Sequence, residues 1–279
     1  FMKFLITGAE GQLGEEFLKE AKKKKLNCLA LTREELDITD FEKVQKVVEG
    51  ARPDFLINCA AYNDVDRAEE DWKTAFLVNG IGPKNLAIAA QENNCVLVHY
   101  STDYVFDGKK NSPYTIVDKP APINKYGQSK LLGENFVKDF AGKYFLIRLS
   151  AVFGNNPKAS FPLKILSWAK EKKELKIVDD QVFSPTFTGD VVKGTFDLIK
   201  SGEYGLYHMT NSGYCSRYEW AKYILEKIGW QGKILRAKSK DFQSAAERPK
   251  FSVLDNFPLK EMEGWKEATE RYLTISELR

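Results

Sequence analysis

The 279-residue chain is long enough for one large α/β domain or for two smaller ones. Its composition, 43% hydrophobic and 29% charged, predicts a folded protein with a sizeable core and disfavours disorder. Lysine and arginine outnumber aspartate and glutamate by only 42 to 39, a net charge of +3. That excess argues against a nucleic-acid partner, because such a partner requires a concentrated basic face.

The cysteines and histidines predict neither a disulfide framework nor a metal centre. The four cysteines form no Cys-x-x-Cys pair, and three lie in apolar, strand-like runs where a thiol acts as a small buried hydrophobe. Only two histidines, His99 and His208, are present. We therefore expect no metal site, and free thiols suited to a reducing cytoplasm. No apolar run approaches the roughly 20 residues of a membrane span, so no membrane partner is expected.

The first half of the chain alternates short apolar runs with longer amphipathic segments, which predicts a parallel sheet covered by helices on both faces. The predicted strands cover residues 3–7, 28–31, 55–58, 96–101 and 144–148. The predicted helices cover about 13–24, 41–49, a segment ending near 93, and 126–140. We expect Gly80, Gly82 and Pro83 to break or bend the third of these helices.

The alternation of predicted strands and helices becomes less regular after about residue 150. Helices are predicted near 161–172, 191–201, 216–228 and 266–278, and strands near 175–178 and 206–209. We therefore predict a Rossmann-type, doubly wound α/β domain over residues 2–150. Residues 151–279 are expected to form mainly a smaller α/β lobe that binds substrate, with some segments returning to the first domain.

A glycine-rich loop directly follows the first predicted strand and precedes a helix. Gly8 permits a tight turn, Gly11 lets the backbone approach a pyrophosphate, and Gly14 permits close packing of helix on strand. The helix N-terminus then offers free N–H groups to the phosphates. The sequence therefore predicts a dinucleotide site here.

The second predicted strand lacks the acidic residue that usually binds the ribose of NAD. Thr32 and Arg33 stand there instead, and a guanidinium can pair with the 2′-phosphate of NADP. We therefore predict NADPH as the cofactor, with NADH as the second option. The alternative is that Arg33 is only an exposed loop charge. Asp37 and Ile38, one turn further on, are candidate adenine contacts.

Tyr126 and Lys130 lie four residues apart, on one face of a predicted helix. A free tyrosine has a pKa near ~10, too high for efficient proton transfer at neutral pH, and a nearby positive charge lowers it. The fourth predicted strand ends in Ser101-Thr102-Asp103, which puts a hydroxyl at the carboxyl edge of the sheet. These features together predict a catalytic site, rather than a surface tyrosine–lysine pair.

The motifs resemble those of the extended short-chain dehydrogenase/reductases and, within them, the dTDP-4-dehydrorhamnose reductases. The blocks that carry the resemblance run in family order over nearly the whole chain. They include Gly8-x-x-Gly11-Gln12-Leu13-Gly14, Asn58-Cys59-Ala60-Ala61-Tyr62, Val65-Asp66-Arg67-Ala68-Glu69, Tyr100-Ser-Thr-Asp-Tyr-Val-Phe106, Tyr126-x-x-x-Lys130, Asp180-Gln181 and Arg248-Pro249.

The resemblance implies NAD(P)H-dependent reduction of a nucleotide-linked 4-keto-6-deoxysugar, with dTDP-L-rhamnose as the expected product. It implies that Tyr126 donates a proton to the keto oxygen, that Lys130 holds the nicotinamide ribose and lowers the tyrosine pKa, and that Thr102 polarises the carbonyl. The implied cofactor contacts are Gly11, Gln12, Leu13, Asp37, Ile38, Ala60, Ala61, Tyr62 and Tyr100. Asp103 and Arg248 are assigned to the substrate. A homodimer is one option for the assembly.

Three residues depart from the family pattern. Ala151 stands where a tryptophan is usual, Ile116 where a glutamate is frequent, and Phe183 where a glycine is usual. We predict that Phe183, or else Phe153, turns into the sugar-nucleotide pocket and replaces the missing aromatic ring. The alternative is that Phe183 is an ordinary core residue.

Two other functions stay open at this point. One is a non-catalytic, dinucleotide-binding regulatory subunit resembling that of methionine adenosyltransferase. The other is a sugar-nucleotide epimerase, which would use the same proton-transfer residues but keep its nicotinamide bound between turnovers.

Overall fold

The computed structural model describes residues 2–155 and 160–275. The strands in these ranges are β1 (Lys3–Thr7), β2 (Asn27–Leu31), β3 (Phe55–Asn58), β4 (Val96–Thr102), β5 (Tyr144–Leu149), β6 (Val152–Phe153), β7 (Glu174–Val178), β8 (Val182–Phe183), β9 (Thr186–Phe187), β10 (Gly205–His208), β11 (Cys215–Ser216) and β12 (Lys233–Ala237). The α-helices are α1 (Gln12–Lys23), α2 (Phe41–Ala51), α3 (Arg67–Glu70), α4 (Trp72–Phe76), α5 (Gly82–Glu92), α6 (Lys125–Phe140), α7 (Phe161–Glu171), α8 (Thr188–Ser201), α9 (Arg217–Lys227) and α10 (Trp265–Ile275).

The large sheet has six parallel strands in the order β2-β1-β3-β4-β5-β10. The chain builds outward from β1 to β2 on one side and from β3 to β5 on the other. The loops that follow β1 and β3 therefore diverge, and such a switch point is where open α/β sheets bind ligands. This confirms the predicted doubly wound parallel sheet.

Both faces of the sheet are apolar, as the near-continuous hydrophobic strands predict. On β4, Val98 and Tyr100 belong to the core that α1 and α8 cover, whereas Leu97 belongs to the core under α2, α5 and α6. Because successive side chains of a strand point to opposite faces of the sheet, each strand contributes to the two cores that lie under the two helix layers.

The later part of the chain forms small sheets around its own core. The pairs are β8 with β11, β7 with β12, and β6 with β9, and Trp220 lies at the centre of the core they share with α7, α9 and α10. This part also returns β10 and α8 to the large sheet. Strand β12 and the two-residue strands were not predicted. The predicted helix at 266–278 corresponds to α10, and residues 276–278 lie outside the described residues.

The predicted break in the helix near Gly80 is a π-helical turn. The helix does not stop there, because α4 continues through a π-helical turn, Leu77–Ile81, into α5. Pro83, in the first turn of α5, has no N–H to donate to a carbonyl four residues earlier, that of Asn79. A Cβ on Gly133 would lie 2.1 Å from this Asn79 oxygen, so only glycine lets α6 approach it.

A buried ion pair fixes α6 to the sheet. Arg148 of β5 donates from Nε to Glu134 Oε1 at 2.8 Å and from Nη2 to Oε2 at 2.7 Å. The side chains are only 1% and 0% exposed. Ser101 Oγ also donates to Glu134 Oε1, at 2.6 Å. Burial opposes the charge, yet the hydrogen bonds from Arg148 and its charge hold the pKa of Glu134 below its ordinary value.

His208 extends this network to the loops beyond β10. Its Nε2 lies 3.3 Å from Arg148 Nη1, and its Nδ1 lies 3.1 Å from the carbonyl oxygen of Tyr114. Burial and the neighbouring Arg148 lower the pKa of His208 to about 4. The ring is therefore neutral at pH 7, so that Nε2 accepts from the guanidinium and Nδ1 donates to the carbonyl.

We predict that Arg148→Met destabilises the protein by about 3–5 kcal/mol, because it leaves the Glu134 carboxylate buried without its main partner. Denaturant unfolding measures this change. Lys138→Met is the matched control, since Lys138 bonds the same carboxylate from a partly exposed position at 3.5 Å and should cost less than about 1 kcal/mol. Equal losses in the two variants would contradict the prediction.

Candidate active site

The glycine loop after β1 is held tightly against the loop after β3. Gly8 has a φ of +67°, and a Cβ there would meet the backbone nitrogen of Ala60 at 2.5 Å. A Cβ on Gly14 would lie 2.3 Å from the Gly8 carbonyl oxygen. At Gly11, by contrast, the nearest atom would be 3.3 Å away. The loop is thus compact at its ends and leaves backbone accessible at Gly11, as a pyrophosphate requires.

Two features at the start of α1 fit a dinucleotide. Gly11 caps the helix without a side-chain hydrogen bond, so N–H groups of the first turn are free to bind an anion. Gln12 donates from Nε2 to the Val152 carbonyl oxygen at 3.3 Å, while its buried Oε1 has no partner among the described residues. A buried polar atom normally has a hydrogen-bond partner, and a bound nucleotide can supply one.

Asn58, at the end of β3, shapes the second loop. Its Oδ1 accepts from Thr7 Oγ1 at 2.7 Å and from the Ala60 backbone N–H at 3.1 Å. Its Nδ2 lies 2.9 Å from His99 Nδ1. These bonds fix the path of the backbone through Ala60 and Ala61, which are half-buried at the carboxyl edge of the sheet.

Asn79, in the π-helical turn, is a positioning residue that the sequence analysis missed. Its side chain accepts from the Tyr62 N–H at 2.8 Å and donates to the Tyr62 carbonyl at 2.9 Å and to Ser129 Oγ at 3.0 Å. Ser129 in turn donates to the Tyr126 carbonyl at 2.7 Å. Asn79 therefore joins the loop after β3 to the first turns of α6. The neighbouring glycines and proline predict a break in the helix here, but they do not predict this role of Asn79.

The loop after β2 carries a carboxylate as well as a guanidinium. Arg33 is exposed. Glu35 accepts from the Thr32 N–H at 2.8 Å and from Thr32 Oγ1 at 2.9 Å, which lowers its pKa. The loop that carries Arg33 thus also holds a carboxylate, bound to Thr32. Asp37 is half-buried, whereas the Ile38 side chain lies in the core under α5 and is only 3% exposed.

The structure brings the predicted trio together at the carboxyl end of β4. The Thr102 hydroxyl lies near enough to the Tyr126 phenol to oppose the rise of its pKa. Lys130, 3% exposed, donates from Nζ to the Tyr100 carbonyl oxygen at 2.6 Å. The Tyr104 ring meets the Tyr126 ring edge to face, with centroids 5.9 Å apart. The Tyr100 side chain, however, lies in the core and hydrogen-bonds Thr195, so only its backbone reaches the site.

The pKa of Tyr126 moves in the direction opposite to the one predicted. Burial raises it well above the ordinary tyrosine value, and Thr102 opposes this rise only in part. Burial also lowers the pKa of Lys130 to about 8, against the charge of Glu134, which raises it. The expected lowering by Lys130 is not found: burial of the phenol and the nearby Asp103 and Tyr104 raise its pKa, and only Thr102 opposes them.

Asp103 is buried beneath the trio and is satisfied by hydroxyl groups. It accepts from Thr102 Oγ1 at 3.1 Å, from Ser150 Oγ at 2.9 Å and from Ser252 Oγ at 2.5 Å. Burial raises its pKa. Ser150 and Ser252 were not predicted as site residues, because isolated serines leave no pattern in a sequence.

The structure does not place Phe183 or Phe153 in the site. Their rings, 4% and 0% exposed, pack against Trp220 in the core of the later lobe, at centroid distances of 6.0 and 5.2 Å. The prediction that one of them replaces the missing aromatic is therefore not supported, and the core alternative describes both. Ala151 is half-buried beside the same core, and Ile116 is partly exposed.

Within the described residues, no group of three or more histidine, cysteine, aspartate and glutamate side chains is arranged to hold a metal ion. None of the helices in these ranges is both long and apolar enough to cross a membrane.

The chain is similar to known proteins over its whole described length. A family model, the RmlD substrate binding domain, matches residues 2–277. The dTDP-4-dehydrorhamnose reductase of Burkholderia thailandensis is 37% identical over 290 residues, covering 97% of this chain and 96% of the relative. The spore coat polysaccharide biosynthesis protein SpsK of Bacillus subtilis is also 37% identical, over 97% of this chain and 96% of its own length.

Solved structures also resemble this chain. The structure of a Bacillus anthracis dTDP-4-dehydrorhamnose reductase in complex with NADP superposes with a TM-score of 0.95 and 37% identity, covering 98% of this chain and 99% of that one. A UDP-glucose 4-epimerase from Thermus thermophilus has a TM-score of 0.79 but only 19% identity, over 98% of this chain and all of its own, and shares the fold alone.

We predict that Lys130→Met stabilises the protein at pH 7 by up to about 3 kcal/mol, because burial of the ammonium lowers its pKa from 10.5 to about 8. The folded chain loses this proton at lower pH than the unfolded chain, so the parent regains stability as pH rises from about 8 to 10.5. Unfolding curves at pH 7 and pH 10.5 should therefore show a gain that nearly vanishes at the higher pH. A gain independent of pH would contradict the prediction, and Lys125→Met on the same helix is the control.

Proposed function

Because the chain belongs to the RmlD substrate binding domain family of dTDP-4-dehydrorhamnose reductases, we propose that it is an NADPH-dependent reductase of a nucleotide-linked 4-keto-6-deoxysugar. The expected reaction converts dTDP-4-dehydro-L-rhamnose to dTDP-L-rhamnose. The observation that carries the proposal is the meeting of Thr102, Tyr126 and Lys130 beside an accessible glycine loop.

In this proposal the reduced nicotinamide supplies a hydride to the keto carbon. Tyr126 gives its proton to the keto oxygen, and the product is the secondary alcohol. A raised pKa keeps the phenol protonated at neutral pH, which is the state a proton donor needs. Thr102 would hydrogen-bond the reacting oxygen by turning its one hydroxyl proton away from Asp103, to which it donates in the structure.

Lys130 has two roles in this scheme. Its ammonium can hold the hydroxyls of the nicotinamide ribose, and its charge favours the phenolate that remains once Tyr126 has given up its proton. With a pKa near 8, Lys130 is still mostly charged at pH 7. The bond to the Tyr100 carbonyl fixes the position of Nζ in the meantime.

The remaining cofactor contacts follow the loops already described. We propose that Gly8, Gly11, Gln12, Leu13 and Gly14 hold the pyrophosphate, and that Ala60, Ala61 and Tyr62 line the nicotinamide half. Arg33 would face the 2′-phosphate, and the Asp37–Ile38 segment the adenine. On the substrate side the proposal keeps Thr102, Asp103 and Arg248.

The test is to incubate the protein with NADPH and a panel of 4-keto sugar nucleotides and to follow the loss of NADPH absorbance. Consumption with dTDP-4-dehydro-L-rhamnose is expected. Binding of NADPH without turnover of any sugar would instead favour the regulatory subunit. A nicotinamide that stays bound through purification, with interconversion of sugar epimers, would favour the epimerase.

We predict that Tyr126→Phe lowers kcat by about 10²–10⁴-fold and leaves the Kd for NADPH nearly unchanged, because only the transferable proton is removed. Steady-state kinetics and a fluorescence titration measure the two quantities. Tyr207→Phe, whose phenol bonds the Glu203 carbonyl away from the site, is the control. A rate above about a tenth of the parent rate would exclude Tyr126 as the proton donor.

We predict that the protein binds NADPH more tightly than NADH and that Arg33→Ala removes most of this preference. A charge-assisted contact to the 2′-phosphate is worth roughly 1.5–3 kcal/mol, or about 10- to 150-fold in Kd. Glu35→Gln should act in the opposite direction, because it removes a negative charge from the same loop. Equal affinities of the parent protein for the two cofactors would be inconsistent with this role for Arg33.

A further inference from the structure

Asp66, which lies outside the catalytic trio, binds several residues of one loop, which we call the strap. The strap, residues 242–249, is largely exposed between Phe242 and Ala245. Asp66 Oδ1 accepts from Ser244 Oγ at 2.8 Å and from the Ala246 N–H at 3.1 Å. A single carboxylate therefore bonds the strap at two points, Ser244 and Ala246.

Asp66 also holds the one guanidinium of the strap in a two-pronged contact. Arg248 donates from Nη1 to Oδ1 at 3.1 Å and from Nη2 to Oδ2 at 2.6 Å. The same Nη1 bonds Ser244 Oγ and the Ala246 carbonyl oxygen. Hydrogen bonding from Arg248 holds the pKa of Asp66 far below its ordinary value, so the carboxylate stays charged throughout the neutral range.

The guanidinium held in this way lies close to the proton donor. Tyr104 lies near enough to Arg248 to help raise the pKa of the guanidinium, and the Tyr104 ring packs edge to face on Tyr126 with centroids 5.9 Å apart. A single side chain therefore separates Arg248 from Tyr126. The Arg248 side chain is 20% exposed, so it is not closed off from solvent.

The segment that carries Asp66 also grips the start of α6. Glu69, three residues later, accepts from the Lys125 N–H at 2.8 Å. Asn124, which caps α6, donates from Nδ2 to the Glu247 carbonyl of the strap at 2.8 Å. The Val65–Glu69 motif therefore joins the strap to the helix on which Tyr126 and Lys130 lie.

We infer that Asp66 is a positioning residue that holds the strap closed and presents the Arg248 guanidinium beside Tyr126, ready for the diphosphate of a sugar nucleotide. An arginine fixed beforehand binds such an anion without first losing its own conformational freedom. A planar guanidinium also matches phosphate oxygens in pairs. The identity of the anion rests on the proposed function, whereas the closure of the strap does not.

The test compares Asp66→Asn with Asp64→Asn. Both remove one negative charge, but the Asp64 side chain accepts a hydrogen bond from the Arg67 N–H, at 3.0 Å, which an asparagine oxygen can also accept. For Asp66→Asn we expect faster amide hydrogen exchange at residues 243–248 without any ligand. We also expect KM for the sugar nucleotide to rise about 3- to 10-fold, with kcat and the Kd for NADPH little changed. Asp64→Asn should match the parent in all four, and Asp66→Glu should recover part of the KM.

The binding of dTDP alone gives a second measurement. Asp66→Asn should weaken it, and the loss should not add to that of Arg248→Ala, since one residue acts through the other. Tighter dTDP binding or a lower KM in Asp66→Asn would show that Asp66 competes for Arg248, and would overturn the inference. So would unchanged exchange of the strap. If the parent turns over no sugar nucleotide, the proposed function fails, while the exchange experiment still decides whether Asp66 closes the strap.

Discussion

The buried pair of Glu134 and Arg148 sets the position of the two groups on α6 that would do chemistry, Tyr126 and Lys130. It fixes α6 against β4 and β5 at one point, and Lys130 lies one helical turn before that point. Tyr126 lies one further turn back, over the end of β4. The two groups on α6 are therefore placed by a helix fixed to the sheet near its middle. Removing one partner of the pair is costly, because the other charge would stay buried without a partner.

Much of this arrangement can be predicted from the sequence, because it rests on local patterns. The apolar runs at residues 3–7 and 55–58 coincide with β1 and β3. The parallel order follows from alternation with helices. The convergence of Thr102, Tyr126 and Lys130 follows from parallel strands ending at one edge, since each motif comes directly after a strand or in the first turns of a helix.

What could not be predicted depends on contacts between distant parts of the chain. The pKa of Tyr126 is raised because the phenol is deeply buried, and the five-residue motif Tyr126-x-x-x-Lys130 does not reveal the depth of burial. Phe153 and Phe183 lie on two-residue strands and pack against Trp220 in the core. Strands this short have no hydrophobic periodicity from which the packing could be predicted. The contact between Glu35 and Thr32 was not predicted, because Glu35 bonds Thr32 across a turn and does not lie at the end of the strand.

The π-helical turn at Leu77–Ile81 holds one residue more than an α-helical turn would. Each α-helical residue advances the chain by about 100° around the axis, so a deletion here would swing α4, and the segment of Asp66 before it, by more than a quarter turn. Gradual exchange of side chains cannot make such a change. A single residue inserted or deleted between 77 and 81 would therefore move Asp66 relative to α6 and to the strap that it binds.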